Sequence, residues 1–498
     1  MGWIGKTLFL WVFLVFVIPA KGLAQENILP LTLDDCIYLA FKNNKQLHVE
    51  RLGPLKAEAN VELNKGEFDT ELALDINRGG SRLQTTARQF AVEREEATLF
   101  PIREYDQRNW EASLSKRLLT GTNVDLTWVT NRSDSNFTLK DYLDSIELDI
   151  TQNLLRGWGY DVNRTRITIA ENQYQISRHQ LREAIMEVLA LVENTYWDLC
   201  SALEALRVKK VSLKRAEEFL ELNKALVEVG RLPYIDLIQA EAEVAKRKED
   251  VILAQRDVRL NQLKLIQIVN PSNSPDMWKS VPQPLTKPEF TPYEPNIEES
   301  LRLAFENRPD IIMAKLGIQN DQLSVREAKN QLFPQLDLVS RISLRGRDDD
   351  HSDAFGYTFG GGYYDWYVGL TFSFPLKNRK ARAAFRKAKL TKKGSEISFE
   401  DIEQLTQVEV RSAIIQLEAN RERIQATKLA RRLAEEKLKR EEEKFKVGKS
   451  TIHEVLEYQE DLANTELNQN KALIDYLKSL VELRRVEATL LERWNIEV

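Results

Sequence analysis

Residues that could act as nucleophiles, acids, bases or metal ligands are scattered along this sequence. The four histidines, His48, His179, His351 and His453, form no cluster with the spacing of a metal site. The sequence contains no nucleophile elbow, phosphate-binding loop or zinc motif. It therefore predicts no catalytic residue, no metal site and no cofactor, and it favours a protein that is not an enzyme.

Two groups of carboxylates could still attract cations. Glu454 and Glu457 are three residues apart, so they lie on one face of a helix. A metal site formed by His453 and Glu457 is not favoured, because neighbouring helix positions usually point apart. The run from Asp348 to Asp353 could hold a divalent cation, but a solvated extracellular loop is the favoured interpretation.

The N-terminus has the pattern of a secretory leader. Lys6 precedes an apolar run from Leu8 to Ile18, and the small residues Gly22 and Ala24 follow it. This spacing suits a signal peptidase, so we predict a cleaved signal peptide at residues 1–24. A retained membrane helix is the weaker alternative, because the run is shorter than the roughly 20 residues that a span needs.

Composition limits what the rest of the chain can be. Of the 498 residues 30% are charged, and the net charge is −5 with acids and bases intermixed. This pattern leaves no electrostatic footprint for a nucleic-acid partner. Beyond the leader, no stretch of sequence is apolar enough to cross a bilayer as a helix. A membrane location would therefore require a closed β-barrel, which also satisfies its backbone hydrogen bonds in lipid.

The chain contains a tandem duplication. The segment LTLDDCIYLAFKNNKQL at 31–47 aligns with PNIEESLRLAFENRPDI at 295–311, and VGRLPYIDL aligns with VGKSTIHEVL further along each half. These matches predict a first repeat at 25–269 and a second repeat at 296–498. The linker between them, 270–295, is too rich in proline for a helix or a central strand.

Each repeat ends in two long predicted helices whose apolar residues recur at every seventh position. The first series is Ile185, Val192, Leu199, Leu206, Leu213, Leu220 and Val227. A seven-residue period predicts left-handed supercoiling of neighbouring helices. The predicted helices span 161–229, 234–269, 378–447 and 451–495, and the longest would reach roughly 100 Å. A soluble periplasmic coiled-coil scaffold would explain these segments equally well.

The predicted strands, at about 68–151 and 333–376, have a period of two. Apolar and polar residues alternate, so one face suits lipid and the other suits water. One apolar series is Trp366, Val368, Leu370, Phe372 and Phe374. The pattern is typical of outer-membrane strands, although a soluble sandwich shows it too. The leader, the heptads and the duplication favour the barrel. An added hairpin at 108–131 is predicted to form either an extracellular extension or extra barrel strands.

In the order and duplication of these motifs, the chain resembles the TolC-like outer-membrane efflux proteins over nearly the whole mature sequence. The resemblance is carried by YLAFKNN and LRLAFENRPDI near the start of each repeat, by TQNLLRGWG and FSFPLKNR where strands lead into helices, and by the paired VGRLPYIDL and VGKSTIHEVL. It implies a mixed α and β membrane protein. In this fold, four strands from each of three protomers form one twelve-stranded transmembrane barrel, continued by a long coiled-coil periplasmic tunnel.

The resemblance also implies a function and partners. The protein would be a passive export duct of a tripartite efflux or type I secretion system, in the outer membrane and extending into the periplasm. Its partners would be two further copies of itself, outer-membrane lipid, a periplasmic adaptor and an inner-membrane pump that supplies the energy. The alternatives are the soluble coiled-coil scaffold and a surface enzyme or adhesin, and the missing catalytic constellation argues against the enzyme.

Two sets of site residues follow from the same resemblance. The turns between long helices would dock the adaptor, whereas the alternative is that each glycine there is only a helix C-cap. The docking residues are Val229, Gly230, Arg231, Val447, Gly448, Lys449 and Ser450. Glu454 and Glu457 match two aspartates that ring the closed periplasmic mouth in the family, and threefold symmetry would bring six carboxylates around one axis. Such a ring would select cations; the alternative is two solvated glutamates.

Overall fold

The structure is a computed structural model that describes residues 27–86, 88, 91, 102–136, 139–231, 233–269 and 277–496. The predicted signal peptide at 1–24 lies outside the described residues, as do residues 270–276 of the predicted linker. Within the described part of the chain, no helix combines the length and the apolar composition that a membrane span requires.

The first half begins with a short strand and three helices, continues through four long strands, and ends in two long helices after a single helical turn. Its elements are β1 (Asn27–Leu31), α1 (Leu33–Asn43), α2 (Lys45–Glu50), α3 (Leu52–Lys65), β2 (Thr70–Gln84), β3 (Ile102–Arg117), β4 (Thr122–Ser135), β5 (Asp141–Asn153), α4 (Tyr160–Asn163), α5 (Thr165–Glu228) and α6 (Tyr234–Val269).

The second half has the same order of elements with two long strands instead of four. Its elements are β6 (Ser280–Pro284), α7 (Ile297–Asn307), α8 (Pro309–Asn330), β7 (Gln335–Asp348), α9 (His351–Gly360), β8 (Tyr364–Ser373), α10 (Arg379–Lys446), α11 (Ile452–Val486) and α12 (Leu490–Arg493). Strand β6 pairs in parallel with β1 alone, and this two-stranded sheet tolerates Pro282 and Pro284 because neither strand is central.

The described residues form two compact units. The first consists of the residues up to Lys45, Val188–Glu294 and Ile415–Glu482, and it contains the small parallel sheet and the turns between the long helices. The second consists of Gln46–Glu187, Pro295–Ile414 and the residues from Leu483 onward, and it contains all the long strands.

The seven-residue series of the long helices lies along their buried sides. Val192 and Leu199 in α5 and Leu417 in α10 are completely buried. Buried members of the series in α6 and α11 are Val244, Val251, Val258, Leu265, Val455, Leu462, Tyr476 and Leu483. A seven-residue spacing keeps the same side of a helix turned toward its neighbours. The coiled-coil part of the predicted fold is therefore confirmed.

The long strands form one antiparallel sheet in the order β2-β3-β4-β5-β7-β8, with β2 and β8 at its edges. The hairpin predicted at 108–131 is β3 and β4, which are paired from Tyr105 with Ser135 to Arg117 with Asn123 and are both internal to the sheet. It therefore adds strands rather than forming an extension. The expectation of four strands per protomer is wrong, because six strands of the described residues form this sheet.

The two faces of the sheet differ as the alternation predicts. One cross-strand row on the apolar face consists of Leu72, Leu114, Leu126, Leu148, Ile342 and Trp366, each in register with the next. The opposite face carries ion pairs, among them Arg341 with Asp149 at 2.7 Å and Arg345 with Asp365 at 2.9 Å. One face of every strand thus suits hydrocarbon and the other suits water.

The expectation of a solvated loop at 348–353 is wrong from His351 onward, because His351–Gly360 form helix α9. Asp350 is instead the N-cap of α9, and its side chain accepts a hydrogen bond from the Ser352 nitrogen at 2.8 Å. The helix packs directly against β7, where a Cβ added to Gly346 would overlap the carbonyl oxygen of Ala354 and lie 2.6 Å from the Thr358 nitrogen. Gly346 pairs with Asp144, which continues the apolar face, so α9 covers that face.

We predict that Gly346→Ala displaces α9, because the added methyl group meets backbone atoms that cannot move independently. Overpacking of this kind should lower the free energy of unfolding by about 1–3 kcal/mol. Limited proteolysis of the folded protein should then cut within 349–362 faster than in the wild type. Gly79→Ala in β2 is the matched control, since its Cβ would meet nothing within 4 Å. Equal protection of the segment in both variants would contradict the prediction.

Candidate functional site at the helix turns

The first of the two predicted docking turns, here called tips, is the turn between α5 and α6. Gly230 has a φ of 72°, a left-handed conformation that glycine adopts readily. Its nitrogen donates to the Val227 oxygen at 2.9 Å, and the Arg231 nitrogen donates to the Leu226 oxygen at 2.9 Å. These two bonds define a Schellman motif, which satisfies carbonyl groups at the end of α5. Gly230 is therefore a structural C-cap.

The second tip, between α10 and α11, repeats this geometry. Gly448 has a φ of 73°, and it donates to Phe445 while Lys449 donates to Lys444, both at 2.9 Å. The two valines that precede the glycines, Val229 and Val447, are each 68% exposed. The duplication thus produces two capped turns, each presenting one exposed apolar side chain in front of a basic residue.

The start of α11 is held by a capping box that includes Glu454. The Glu454 carboxylate accepts hydrogen bonds from the Thr451 nitrogen at 3.0 Å and from the hydroxyl groups of Thr451 and Ser450, both at 3.1 Å. In return, the Glu454 nitrogen donates to Thr451 Oγ1 at 3.3 Å. This exchange satisfies backbone donors at the helix start. The same hydrogen bonds, led by that from the Thr451 backbone, hold the pKa of Glu454 below its usual value.

Glu457 lies one turn further along α11 and is exposed, as is Glu454. Between them, Val455 and Leu456 face the packed interior. They belong to a hydrophobic cluster with Phe219 of α5 and residues of α10; its other members are Ala434, Leu438, Ile452 and Leu462. Packing on one side of α11 therefore leaves the two glutamates together on the other side.

His453 does not combine with Glu457 as the metal-site alternative would require. Its Nδ1 lies 3.5 Å from Nε2 of Gln239 in α6. Within the described residues, no group of three or more His, Cys, Asp or Glu side chains is arranged to hold a metal ion.

Sequence reasoning missed Arg247 of α6, which is 4% exposed. Its guanidinium group donates to Ser212 Oγ of α5 at 2.8 Å and approaches the Leu456 oxygen and Gln459 Oε1 of α11, both at 3.4 Å. Its Nε also bonds Glu243 at 2.9 Å. One buried cation thus joins three helices beside Glu457. The sequence does contain a signal for this residue. Arg247 is three residues after Val244 and so occupies the second buried position of the heptad.

Comparison with known proteins decides between a channel and a coiled-coil scaffold. The sequence profile of a family described as outer membrane efflux protein matches residues 128–270 and 300–488, which together make up more than half of the chain. The chain belongs to the outer membrane efflux protein family. The matched segments lie in both repeats, so the family assignment extends across the duplication.

Individual relatives and solved structures agree with this family assignment. Outer membrane efflux protein BepC of Brucella suis biovar 1 is 22% identical over 325 residues, 65% of this chain and 67% of the relative. Outer membrane protein TolC of Vibrio cholerae is 24% identical over 411 residues, 78% of this chain and 87% of the relative. The Campylobacter jejuni CmeC outer membrane channel has the same fold, with a TM-score of 0.65, 17% identity, and coverage of 92% of this chain and 85% of that one.

Family membership confirms the main interpretation of the sequence. The protein is an outer-membrane channel of efflux systems with a TolC-like fold, built from two repeats and extending into the periplasm. The soluble scaffold is not favoured. The family consists of channel proteins rather than enzymes, which agrees with the scattered distribution of chemically active residues.

Proposed function

We propose that three copies of this chain form one passive exit duct, coupled to an inner-membrane pump through a periplasmic adaptor in efflux or type I secretion. The observation that carries the proposal is the open six-stranded sheet, which has one polar face and two unpaired edges on a chain that also bears long coiled-coil helices. A duct of this kind catalyses no reaction, because it needs only a continuous polar path. The energy for export comes from the pump.

Trimerisation follows from the edges of the sheet. A sheet in hydrocarbon must close on itself, and known single-chain bacterial barrels have about eight or more strands. Six strands are therefore too few for one protomer. With threefold symmetry, β8 of each protomer pairs with β2 of the next, and three times six gives eighteen strands. The proposed barrel is accordingly wider than the twelve-stranded barrel that the resemblance implies.

We predict that the protein extracted in mild detergent has the mass of three chains and runs as a heat-modifiable species on a gel. Heating should release the monomer, because the inter-protomer strand pairing is then lost. Mass measurement by light scattering or native mass spectrometry provides the test. A monodisperse monomer that still conducts ions in a bilayer would refute the trimeric duct.

The adaptor is proposed to dock on the two tips. Each tip presents an exposed valine beside a basic residue, Val229 near Arg231 and Val447 near Lys449, and the turns share one backbone geometry. Exposed apolar side chains at repeated positions suit the apolar face of a partner helix, as in other helix-in-groove contacts. Capping and docking are compatible, because the cap uses backbone groups whereas docking uses the outward side chains.

We predict that Gly230→Leu with Gly448→Leu abolishes export while the trimer stays folded, because a bulky residue strains the left-handed turn and alters the docking surface. Gly230→Asn with Gly448→Asn is the matched control, since asparagine tolerates the positive φ. Val229→Asp with Val447→Asp should also lose export, without backbone strain. Substrate efflux in cells and trimer mass are measured together. Wild-type export by the leucine and aspartate variants would leave the tips with a capping role only.

The selectivity gate is proposed at Glu454 and Glu457. Both side chains are exposed on one side of α11, opposite the packed cluster around Val455. In a threefold assembly, six carboxylates near one axis would attract cations and repel anions. The buried Arg247 supports this arrangement, because its contacts with the Leu456 oxygen and the Gln459 side chain fix the backbone of α11 on either side of Glu457.

We predict that Glu454→Gln with Glu457→Gln lowers the cation preference of single channels and their block by divalent ions. Glutamine keeps an acceptor oxygen for the capping box, so the charge is removed while the helix start is preserved. Planar-bilayer recording measures both quantities. Glu436→Gln with Glu443→Gln, at two exposed positions of α10, is the charge-matched control. Unchanged selectivity in the double variant would place the gate elsewhere.

A further inference from the structure

The apolar face of the six-stranded sheet ends in a row of arginines. Ile76 pairs with Trp110, and two residues further along the same strands Arg78 pairs with Arg108, which in turn pairs with Arg132. Residues two apart in a strand point to the same face. The arginine row (Arg78, Arg108 and Arg132) therefore crosses β2, β3 and β4 on the apolar face, toward the ends of the strands that do not connect to helices.

The arginine row contains more guanidinium groups than acidic partners. Arg78 lies 2.8 Å and Arg108 3.3 Å from the Asp106 carboxylate, and Arg132 lies 3.0 Å from that of Asp134. Two carboxylates thus serve three cations. In the part of the chain that the structure describes, the buried Nε atoms of Arg108 and Arg132 have no hydrogen-bond partner. Those two atoms are enclosed by protein, but the side chains of Arg78, Arg108 and Arg132 are 64%, 33% and 24% exposed, so a further anion can reach the row.

Two acidic residues of this face, Asp106 and Asp134, pair with each other in the next row toward the strand ends, and Asp348 lies on the β7 side. Tyr142 separates Arg132 from Asp348 in the strand register, and Lys140 Nζ lies 4.8 Å from the centre of the Tyr142 ring. Asp348 itself accepts hydrogen bonds from the nitrogens of the next two residues, at 2.8 and 3.3 Å. With Arg82 paired to Glu104 in the row beyond, this end of β2, β3 and β4 has an excess of one positive charge on the apolar face.

An apolar groove of about 480 Å³ lies directly below the arginine row. Its wall includes side chains of β2, β3, β4 and β5 and the first residue of α9. The lining residues closest to the row are Ile76, Trp110, Thr130 and Tyr142, with Leu74 and Trp128 one step further toward the helices. Apolar residues thus precede the cation in β2 and β3, whereas in β4 Thr130 lies between Trp128 and Arg132.

We propose that the arginine row and the groove together bind one outer-leaflet lipid, a phosphorylated glycolipid with several acyl chains. The guanidinium groups hold its phosphates, because arginine forms paired, charge-assisted hydrogen bonds with phosphate oxygens. The groove holds one acyl chain, and the tryptophans lie at the boundary between hydrocarbon and head group, as aromatic girdles do. The inference rests on the outer-membrane location of the family and not on the proposed adaptor or pump.

Charge complementarity at the arginine row favours a lipid over a free anion. A free phosphate would satisfy the arginine row but would leave the groove without an occupant. A neutral lipid would fill the groove but would leave the surplus guanidinium charge of the arginine row without a counter-charge. A phosphorylated amphiphile satisfies both parts, because its phosphate and its acyl chain are joined in the same order as the two parts of the surface.

The test uses the full-length protein, purified from outer membranes and delipidated in mild detergent. Native mass spectrometry measures binding of bisphosphorylated lipid A, of the same lipid without phosphates, and of inorganic phosphate. The wild type should bind the bisphosphorylated lipid about tenfold more tightly than the dephosphorylated one. Arg108→Gln with Arg132→Gln should remove that difference. Arg78→Gln, at a more exposed position, should reduce it even if the double variant does not fold.

Two further variants complete the design. Arg347→Gln removes an arginine one residue from the row in the strand register but on the opposite face of the sheet, where it pairs with Asp141, and should leave the difference intact. Ala112→Phe fills the groove and should weaken binding of both lipids. Wild-type lipid preference in both Arg78→Gln and Arg108→Gln with Arg132→Gln would overturn the proposal. Displacement of the lipid by equimolar inorganic phosphate would also overturn it, because the site would then recognise an anion alone.

Discussion

A strand in hydrocarbon cannot leave its backbone N–H and C=O groups unpaired, and this constraint governs the rest of the molecule. Among the residues that the structure describes, strands β2 and β8 each have a neighbour on one side only. Their free edges demand further strands, which a second and a third copy of the chain can supply. Helices α5 and α10 follow strands β5 and β8, so the closure of the sheet also sets where the helices of each copy begin.

The apolar face of the sheet also contains a buried carboxylate, which must be covered. Asp144 is completely buried on the apolar side of β5, where Thr130 donates a hydrogen bond to it and His351 Nε2 lies 3.7 Å from its second oxygen. An uncovered carboxylate there would be costly in lipid. Helix α9 provides the cover, and Gly346 permits it because a larger residue would hold the helix away from the strand.

Periodicity explains why some of this fold could be predicted and some could not. The alternation in β8 and the heptads of α5 each extend over enough residues to identify the element without its neighbours. The number of strands in the sheet could not be deduced in the same way. Apolar and polar residues alternate in β3 and β4 whether this hairpin extends from the sheet or lies within it, and only the pairing with β2 and β5 distinguishes the two cases. Helix α9, HSDAFGYTFG, has three aromatic residues and two glycines but no helical apolar stripe, so its formation depends on packing against Gly346.

The candidate site shows a similar division between local and tertiary signals. The sequence Thr451-Ile-His-Glu454 has the spacing of a capping box, so the local role of Glu454 could be deduced from four residues. The contacts of Arg247 could not, since they join three helices that are distant in sequence. Only the unusual presence of a charge at a buried heptad position pointed to them.

The capping box also makes the two glutamates unequal. Three donors hold the carboxylate of Glu454 against its own helix start, so movement toward a pore axis would break the first turn of α11. Glu457 has no hydrogen bond or ion pair to its carboxylate within the described residues, so its side chain is free to extend. In a ring of these carboxylates, Glu457 would extend its side chain toward the pore axis. Glu454 would contribute a negative charge at a fixed position, as a background charge. Because the capping hydrogen bonds lower the pKa of Glu454, that background charge would persist to a lower pH than without them.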